Sequence, residues 1–386
     1  MKGYKQTKIG LIPKDWEVVR LGDVFDIDNG KDYRHLSKGN IPVYGTGGCI
    51  SFVNNYLHDG ESVCIGRKGT IDKPIFLTGK FWCIDTLFYT YNFRDVFPKY
   101  LYFVFSIINW KKYNEATGVP SLSKKIIKRL LIPLPSLKEQ EKIAKILSTW
   151  DEAIENQEKL IKEKEKLKKA LMQRLLKVDG KKREPKVRFK EFSGEWVEKR
   201  LGEILVERKE YATKEDGYVH LSMSKDGIFP KIEQFNRDFL VKDENKKYKV
   251  TKRGDICYNP ANLKFGVICE NDWGDGIFSP IYVTFEVNKS YDKDFIKYIV
   301  TSKDFIQKAL KYQEGTVYER MAVKPDDLLL MKIFIPPTLK EQEKIADVLS
   351  TIDKEIDLLK LELNELKKQK KALMQKLLTG KVRVEV

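Results

Sequence analysis

The sequence predicts an α+β protein in which two β-rich domains alternate with two long helices, arranged as an internal repeat. The eight residues LKEQEKIA occur at 137–144 and again at 339–346. Each copy opens a helical stretch that closes with ALMQ(R/K)LL, at 170–176 and at 372–378, so both landmarks lie 202 residues apart. The segments before the helices share little sequence. One repeated pattern therefore surrounds two different domains.

The start of each repeat is also visible, as WEVVRLGD at 16–23 and WVEKRLGE at 196–203, an offset of 180 residues. The second domain is therefore 22 residues longer than the first. These landmarks divide the chain into four predicted segments: a first domain at 1–136, a central helix at 137–180, a second domain at 181–338 and a C-terminal helix at 339–386.

Composition indicates a globular protein, because 42% hydrophobic and 11% aromatic residues in 386 can fill sizeable cores. No apolar run approaches the ~20 residues that cross a bilayer, and the first ten residues lack the apolar stretch of a secretory signal. We therefore expect a cytoplasmic protein. The five cysteines are odd in number, widely spaced and free of CxxC pairs, which predicts packed thiols, with neither disulfides nor a metal site.

The formal net charge of +16 lies mostly in the two domains. Residues 1–136 carry +8 and residues 181–338 carry +4, whereas each helical segment carries +2. Clustered positive charge favours a polyanionic partner such as nucleic acid, because binding releases counterions from phosphates. Many proteins without such a partner are also basic, so charge alone leaves both interpretations open.

Both long helices have recognisable ends. The patterns SLKE at 136–139 and TLKE at 338–341 are capping boxes, in which the hydroxyl accepts from the amide three residues on and the glutamate returns to the first amide. Gly180 and Gly380 stand just past the far ends, where helices commonly stop.

Apolar residues recur in alternating steps of four and three along both helices, the period of a coiled coil. The predicted core positions of the first helix are Ile143, Leu147, Trp150, Ile154, Ile161, Leu171 and Leu175. Those of the second are Ile345, Leu349, Ile352, Ile356, Leu359, Leu363, Leu366, Leu373 and Leu377.

Each apolar stripe is the natural partner of the other. We predict antiparallel packing, because it gives a duplicated chain a pseudo-two-fold axis, although parallel packing is not excluded by the sequence. At 1.5 Å per residue, about 40 residues make a rod of about 60 Å. An alternative is that the helices serve only as an oligomerisation stalk.

The domains themselves show short β-type runs broken by glycine and followed by one helical stretch. In the first domain the runs are predicted at 42–48, 62–66, 75–79 and 88–91, with a helix near 100–113. In the second they are predicted at 218–221, 255–258, 266–269 and 281–285, with a helix at 295–310.

Motifs for catalysis are weak. The loops GTGG at 45–48 and GRKGT at 66–70 resemble phosphate loops but lack the GxxxxGK(S/T) spacing. The YNPA segment at 258–261 resembles half of the Asn-Pro-Pro-aromatic motif of amino-methyltransferases, without its second proline or its aromatic residue. The loops do carry the side-chain types that contact phosphates and base edges, although their glycines also suit ordinary turns.

Taken together, these residues resemble the specificity subunits of type I restriction-modification systems, over essentially the whole chain. The most specific features are the P(S/T)LKEQEKIA motif that enters each helix, the ALMQ(R/K)LL exit and the alternation of variable domain and helix. The segments VYGTGG at 43–48 and IGRKGT at 65–70 look like one subclass of target-recognition domain. The second domain is typical only in its position.

The resemblance implies a non-catalytic DNA-binding subunit with two target-recognition domains, each binding one half of a bipartite site. The helices would hold the domains at a fixed separation and dock methyltransferase subunits, usually two, through which restriction subunits join. S-adenosylmethionine, ATP and Mg would bind to these partners, and this chain would hold no cofactor. Because the domains differ, we expect an asymmetric target, with a gap of about one turn of double-stranded DNA.

Candidate DNA contacts lie in the loops beside the β-type runs. They are Tyr44, Thr46, Arg67, Lys68 and Thr70 in the first domain, and Ser222, Ser224, Lys225, Asn259, Asn262, Lys264, Tyr318 and Arg320 in the second. Partner-binding candidates on outward helix faces are Glu139, Gln140, Lys142, Glu341, Gln342 and Lys344. Two other functions are weighed against this one: a self-sufficient DNA-modifying enzyme, and a coiled-coil adaptor that binds proteins.

Overall fold

The computed structural model describes residues 3–179, 182–231, 247–314 and 321–385. The chain forms two compact units, unit 1 with Met1–Lys159 and Lys360–Val386, and unit 2 with Leu160–Leu359. Each unit therefore contains one half of each long helix, and the division falls within the helices.

Unit 1 contains twelve strands in its described part. They are β1 (Tyr4–Thr7), β2 (Gly10–Pro13), β3 (Glu17–Arg20), β4 (Asp26–Asn29), β5 (Lys38–Gly45), β6 (Gly48–Val53), β7 (His58–Asp59), β8 (Ser62–Gly66), β9 (Ile75–Leu77), β10 (Lys80–Cys83), β11 (Leu87–Tyr91) and β12 (Leu131–Leu134). Its helices are α1 (Leu21–Val24), α2 (Pro98–Ile107), α3 (Lys124–Arg129) and the start of α4 (Leu137–Leu176).

Unit 2 continues with the end of α4 and thirteen strands among its described residues. The strands are β13 (Val178–Asp179), β14 (Glu184–Pro185), β15 (Val197–Arg200), β16 (Leu205–Glu207), β17 (Tyr211–Ala212), β18 (Val219–Ser224), β19 (Gly227–Pro230), β20 (Tyr248–Thr251), β21 (Ile256–Tyr258), β22 (Ile268–Glu270), β23 (Gly276–Phe278), β24 (Val283–Val287) and β25 (Lys332–Ile335). Its helices are α5 (Leu201–Ile204), α6 (Lys293–Val300), α7 (Lys303–Ala309), α8 (Pro325–Leu330) and the start of α9 (Leu339–Leu377).

The two units repeat one sheet topology although their sequences differ. A sheet of order β6-β5-β10-β7 in unit 1 corresponds to β19-β18-β23-β20-β17 in unit 2, and each has a single parallel pair, β5 with β10 and β18 with β23. A second sheet, β4-β11-β8-β9, corresponds to β16-β24-β21-β22. The pair β3–β12 corresponds to β15–β25. The repeat detected in the helices therefore extends through the domains.

The long helices pack antiparallel in each unit, which confirms that part of the predicted fold. Four ion pairs show the direction, because one residue number rises as the other falls: Asp151 with Lys370 and Glu158 with Lys367 in unit 1, and Lys164 with Glu355 and Lys168 with Asp353 in unit 2.

The predicted coiled-coil positions all lie away from full exposure. Nine of them are buried: Ile143, Leu147, Ile161, Leu175, Ile345, Leu349, Ile352, Ile356 and Leu377. The other seven are half-buried. Lys370, which interrupts the apolar stripe of α9, reaches across to the carboxylate of Asp151.

The starts of the two long helices match the predicted capping boxes only in part. The N-cap hydroxyls of Ser136 and Thr338 do accept from the amides three residues on, each at 3.4 Å. The glutamate side chains of both boxes, however, are directed into the domains.

The predicted helix at 295–310 is divided, because the hydroxyl of Ser302 caps a new helix by accepting from the Phe305 amide at 3.2 Å.

The end of α9, the hydropathy of the helices and the state of the cysteines bear on three further predictions. Gly380 has a φ of +70°, the left-handed geometry of a helix stop, whereas Gly180 lies outside the described residues. In the part of the chain that the structure describes, no helix combines the length and hydropathy needed to cross a membrane. The cysteines are free thiols, and burial raises the pKa of Cys64 to about 12.

Candidate nucleic-acid interface

A buried tryptophan and a buried glutamate, together with a partly exposed arginine, fix the first domain to the start of α4. The Trp16 indole Nε1 donates to Glu139 Oε2 at 2.9 Å. Arg383, from the segment after α9, donates to both oxygens of the same carboxylate at 2.7 and 2.9 Å. Arg383 also holds Asp15, and this hydrogen bond keeps the pKa of Asp15 below its usual value.

Unit 2 repeats this arrangement with its own residues. Trp196 Nε1 donates to Glu341 Oε1 at 3.3 Å, and Arg188 donates to both oxygens of Glu341 at 2.8 Å. The two arginines end matching KVR tripeptides at 186–188 and 381–383. This repeat was not recognised from the sequence because its offset of 195 differs from the 202 of the helices.

The next residue of the repeated motif, glutamine, positions a second helix in each unit. Gln140 Oε1 accepts from the amide of Phe97 at 2.7 Å, and Gln342 Oε1 accepts from the amide of Asp292 at 3.0 Å. Phe97 and Asp292 are the N-caps of α2 and α6. The repeated Glu-Gln pair thus fixes the orientation of each domain on its long helix.

These contacts correct one prediction. Glu139, Gln140, Glu341 and Gln342 were expected on outward, partner-facing surfaces, but all four are buried. The expectation was wrong because their polar atoms are satisfied inside the domains by partners distant in sequence. Lys142 and Lys344 are exposed, and their role in partner binding stays a prediction.

In the first domain, three loops carrying predicted DNA contacts come together. The Leu122 amide donates to the Arg67 carbonyl at 3.0 Å, and the Gly69 amide donates to the Pro120 carbonyl at 2.9 Å. A Cβ added to Gly69 would lie 4.0 Å from Thr46 Oγ1, in the turn between β5 and β6. Tyr44 lies at the end of β5 beside this turn.

The loop after β8 depends on Gly66. A Cβ at this position would lie 2.0 Å from the carbonyl oxygen of Thr70, a distance that no side chain tolerates. The tight turn places Arg67, Lys68 and Thr70 on the partly exposed side of the loop. Glycine is therefore required here for the close approach of two backbone segments.

A polar pocket of about 320 Å³ lies between these loops. Its lining includes Arg67 and Lys68 together with Asn29, Ser121 and Lys124, which the sequence analysis did not select. Lys124 Nζ pairs with Asp28 Oδ1 at 2.6 Å, and this contact lowers the pKa of Asp28. Segments nearly 100 residues apart form the pocket, so local pattern could not reveal it.

The predicted contacts of the second domain that belong to the described residues lie in the corresponding loops. Ser222, Ser224 and Lys225 belong to the β18–β19 hairpin, the counterpart of β5–β6. Asn262 and Lys264 follow β21 as Arg67 follows β8. The Val323 amide donates to the Pro260 carbonyl at 3.2 Å, matching the bond between Leu122 and Arg67.

Three of the predicted contacts in the second domain need separate comment. Asn259 is only 3% exposed, and its Oδ1 accepts from the amides of Ala261 and Asn262 at 3.1 and 3.2 Å. It therefore shapes the loop from inside, and the expectation that it faces a ligand was wrong. Tyr318 and Arg320 lie outside the described residues.

Known proteins are similar to this chain in sequence and in fold. Residues 13–166 match the family model described as the type I restriction modification DNA specificity domain. The chain is 29% identical, over 433 aligned residues, to the MjaVIII specificity subunit, a type I restriction enzyme subunit of Methanocaldococcus jannaschii. The alignment covers 100% of this chain and 98% of that protein.

Two solved structures show the same fold. The type I restriction-modification S subunit from M. genitalium superimposes with a TM-score of 0.63 at 16% identity, covering 94% of this chain and 96% of the other. A chain from a structure that explains complex assembly and conformational transition of the type I R-M system gives a TM-score of 0.56 at 15% identity, covering 96% and 99%.

Two α+β domains of one repeated topology and two long antiparallel helices are the features that this chain shares with those structures. Over its whole length the chain is similar to specificity subunits of type I restriction enzymes, and its residues 13–166 match the DNA specificity domain of that family.

Proposed function

We propose that this chain is the DNA-recognition subunit of a type I restriction-modification assembly, and that each unit reads one half of a bipartite target. The observation that carries the proposal is the repeated fold. The hairpin turn and the loop after the inner strand occur in both units with different side chains, GTGG and GRKGT in unit 1 and SKDG and NPAN in unit 2.

This arrangement favours an asymmetric target. Phosphate contacts position a protein on double-stranded DNA, whereas side chains at base edges specify sequence. Loops on the same scaffold but with different side chains would read different bases, so the two half-sites should differ. The chain itself would be non-catalytic, with S-adenosylmethionine, ATP and Mg bound by its partners.

Partner docking is assigned to exposed parts of the long helices, because the Glu-Gln pairs are buried. Lys142 and Lys344 remain exposed, and within unit 2 the side chains of Leu160, Leu167 and Leu358 face solvent. Leu160 and Leu167 are seven residues apart and so lie on one face of α4, and contiguous apolar surface is a feature of protein interaction sites. We assign them to the methyltransferase subunits, with Leu167→Glu expected to reduce co-purification of the complex.

The decisive experiment uses the chain co-expressed with its methyltransferase subunit, with methylated adenines mapped across the host genome. Arg67→Ala should relax positions in one half-site only, by about 1–3 kcal/mol of discrimination, and Lys264→Ala should affect only the other half-site. Methylation at a single undivided or palindromic site would contradict the proposal.

A further inference from the structure

Two short helices occupy equivalent places in the two units. The Leu130 carbonyl at the end of α3 accepts from the Leu21 amide at 2.8 Å, and the Met331 carbonyl at the end of α8 accepts from the Leu201 amide at 2.7 Å. The loops before both helices are joined by the matching Leu122 and Val323 bonds. The two helices can therefore be compared position by position.

Their charges are opposite. The sequence of α3 is KKIIKR, with four cations and no acid, whereas that of α8 is PDDLLL, with two acids and no cation. Lys125 corresponds to Asp326, and Arg129 corresponds to Leu330, whose side chain is 58% exposed. The fold is conserved between the units here, but the electrostatics are not.

The exposed cations of α3 are also not neutralised by the protein. Among the described residues, no acid lies within salt-bridge distance of Lys125, Lys128 or Arg129. Asp26, whose pKa Lys128 helps to lower, is already held by Arg94 at 3.2 Å. These three side chains are therefore available to an external anion.

Their position connects them to the loops already described. The first residue of α3, Lys124, lines the polar pocket together with Arg67 and Lys68. The pocket and the helix therefore adjoin at Lys124, and cations stand on both sides of that residue in the sequence of the site. Such a site fits the phosphate backbone of double-stranded DNA, which rewards several closely spaced cations.

We propose that α3 anchors the DNA backbone, so that the first domain supplies most of the salt-dependent affinity and the second domain contributes mainly base contacts. This inference rests on the proposed DNA recognition and adds an unequal division of labour between the two domains. Each half-site would then respond differently to salt.

The test measures binding of the full-length chain to a random-sequence DNA duplex between 50 and 200 mM KCl. In the variant Lys125→Gln/Lys128→Gln/Arg129→Gln, the slope of log K against log salt should become shallower by about 2.7, at 0.9 per lost phosphate contact. Over this fourfold salt range, the wild type should therefore lose about 40-fold more affinity than the variant.

Two further variants make the result specific. Lys162→Gln/Lys166→Gln/Lys169→Gln removes the same charge from exposed positions of α4, and it should leave the slope unchanged. Asp326→Lys/Leu330→Arg places cations at the equivalent positions of α8, and it should steepen the slope by about 1.8.

The outcomes separate this inference from the proposed function. A steep wild-type slope that the α3 variant does not change would overturn the inference and leave DNA recognition intact. Equal losses from the α3 and α4 variants would also overturn it, because only net charge would then matter. A wild-type chain without salt-dependent DNA binding would reject both.

Discussion

Each long helix begins with a buried glutamate, Glu139 in unit 1 and Glu341 in unit 2. Replacing this glutamate with glutamine should destabilise unit 2 more than unit 1. Glu341 and Glu139 are equally buried, with side chains 1% and 2% exposed. Their arginine partners differ, because Arg188 is 12% exposed and Arg383 is 40% exposed. An arginine that has lost its partner can turn to water only where water is near.

The magnitudes follow from this difference. Breaking a buried ion pair by removing one partner costs about 3–5 kcal/mol, because an uncompensated charge is left behind. Glu341→Gln should cost about 3 kcal/mol, the lower end of this range, because the amide oxygen can still accept one hydrogen bond and Arg188 keeps Glu184 at 3.6 Å. Glu139→Gln should cost about 1 kcal/mol, the typical value of one net hydrogen bond, because Arg383 can hydrate and keeps Asp15.

Urea unfolding followed by circular dichroism and tryptophan fluorescence would measure both costs. Because the chain has six tryptophans, the fluorescence of each site should be obtained as the difference between a variant and its matched Trp16→Phe or Trp196→Phe counterpart. Equal costs, or a larger cost for Glu139→Gln, would refute the argument that residual exposure of the arginine sets the penalty.

Three other predictions concern the loops, the chain terminus and the partner surface. Gly66→Ala should lower DNA affinity at least tenfold with little loss of secondary structure, because the added Cβ meets the Thr70 carbonyl at 2.0 Å; unchanged binding in a gel shift would exclude this. Arg383→Gln should lower the stability of the protein at pH 7. Arg383 lowers the pKa of Asp15 in the folded state, so the contact between them stabilises the fold only while Asp15 is ionised. In thermal melts, the share of the lost stability that comes from this contact should therefore vanish as the pH falls below about 3.8. Lys142→Glu should reduce co-purification of the methyltransferase subunit, and full recovery of the complex would count against this surface.

The helices could be predicted well because their signal is local and periodic. A 3.5-residue apolar repeat over about 40 residues specifies both the helix and a partner for its stripe. The inward direction of Glu139 could not be predicted in this way. Its partner Arg383 lies 244 residues away, and the capping-box pattern suggested a local role for the same carboxylate.

The candidate site could be predicted only in part, because some of its residues belong to local motifs and others come from distant segments. Glycine-rich loops are visible in sequence, and the predicted residues that the structure describes lie in corresponding loops of the two units, with Asn259 buried inside its loop. The residues that complete the pocket, such as Ser121 and Lys124, carry no motif of their own. They reach Arg67 only through backbone pairing between distant segments, as in the bridge between Lys68 and Ser121.

The central claim is that the paired helices set the distance between two half-sites read by different domains. It can be tested by deleting one heptad from each helix, residues 157–163 and 357–363, two segments that are joined by the hydrogen bond from Gln157 Nε2 to Glu362 Oε2 at 2.9 Å. Seven residues span about 10 Å of helix, and base pairs repeat every ~3.4 Å, so the gap should shorten by about three base pairs. Genome-wide mapping of methylated adenines should show both half-sites unchanged and the gap shortened, whereas changed half-site bases at an unchanged gap would contradict the account.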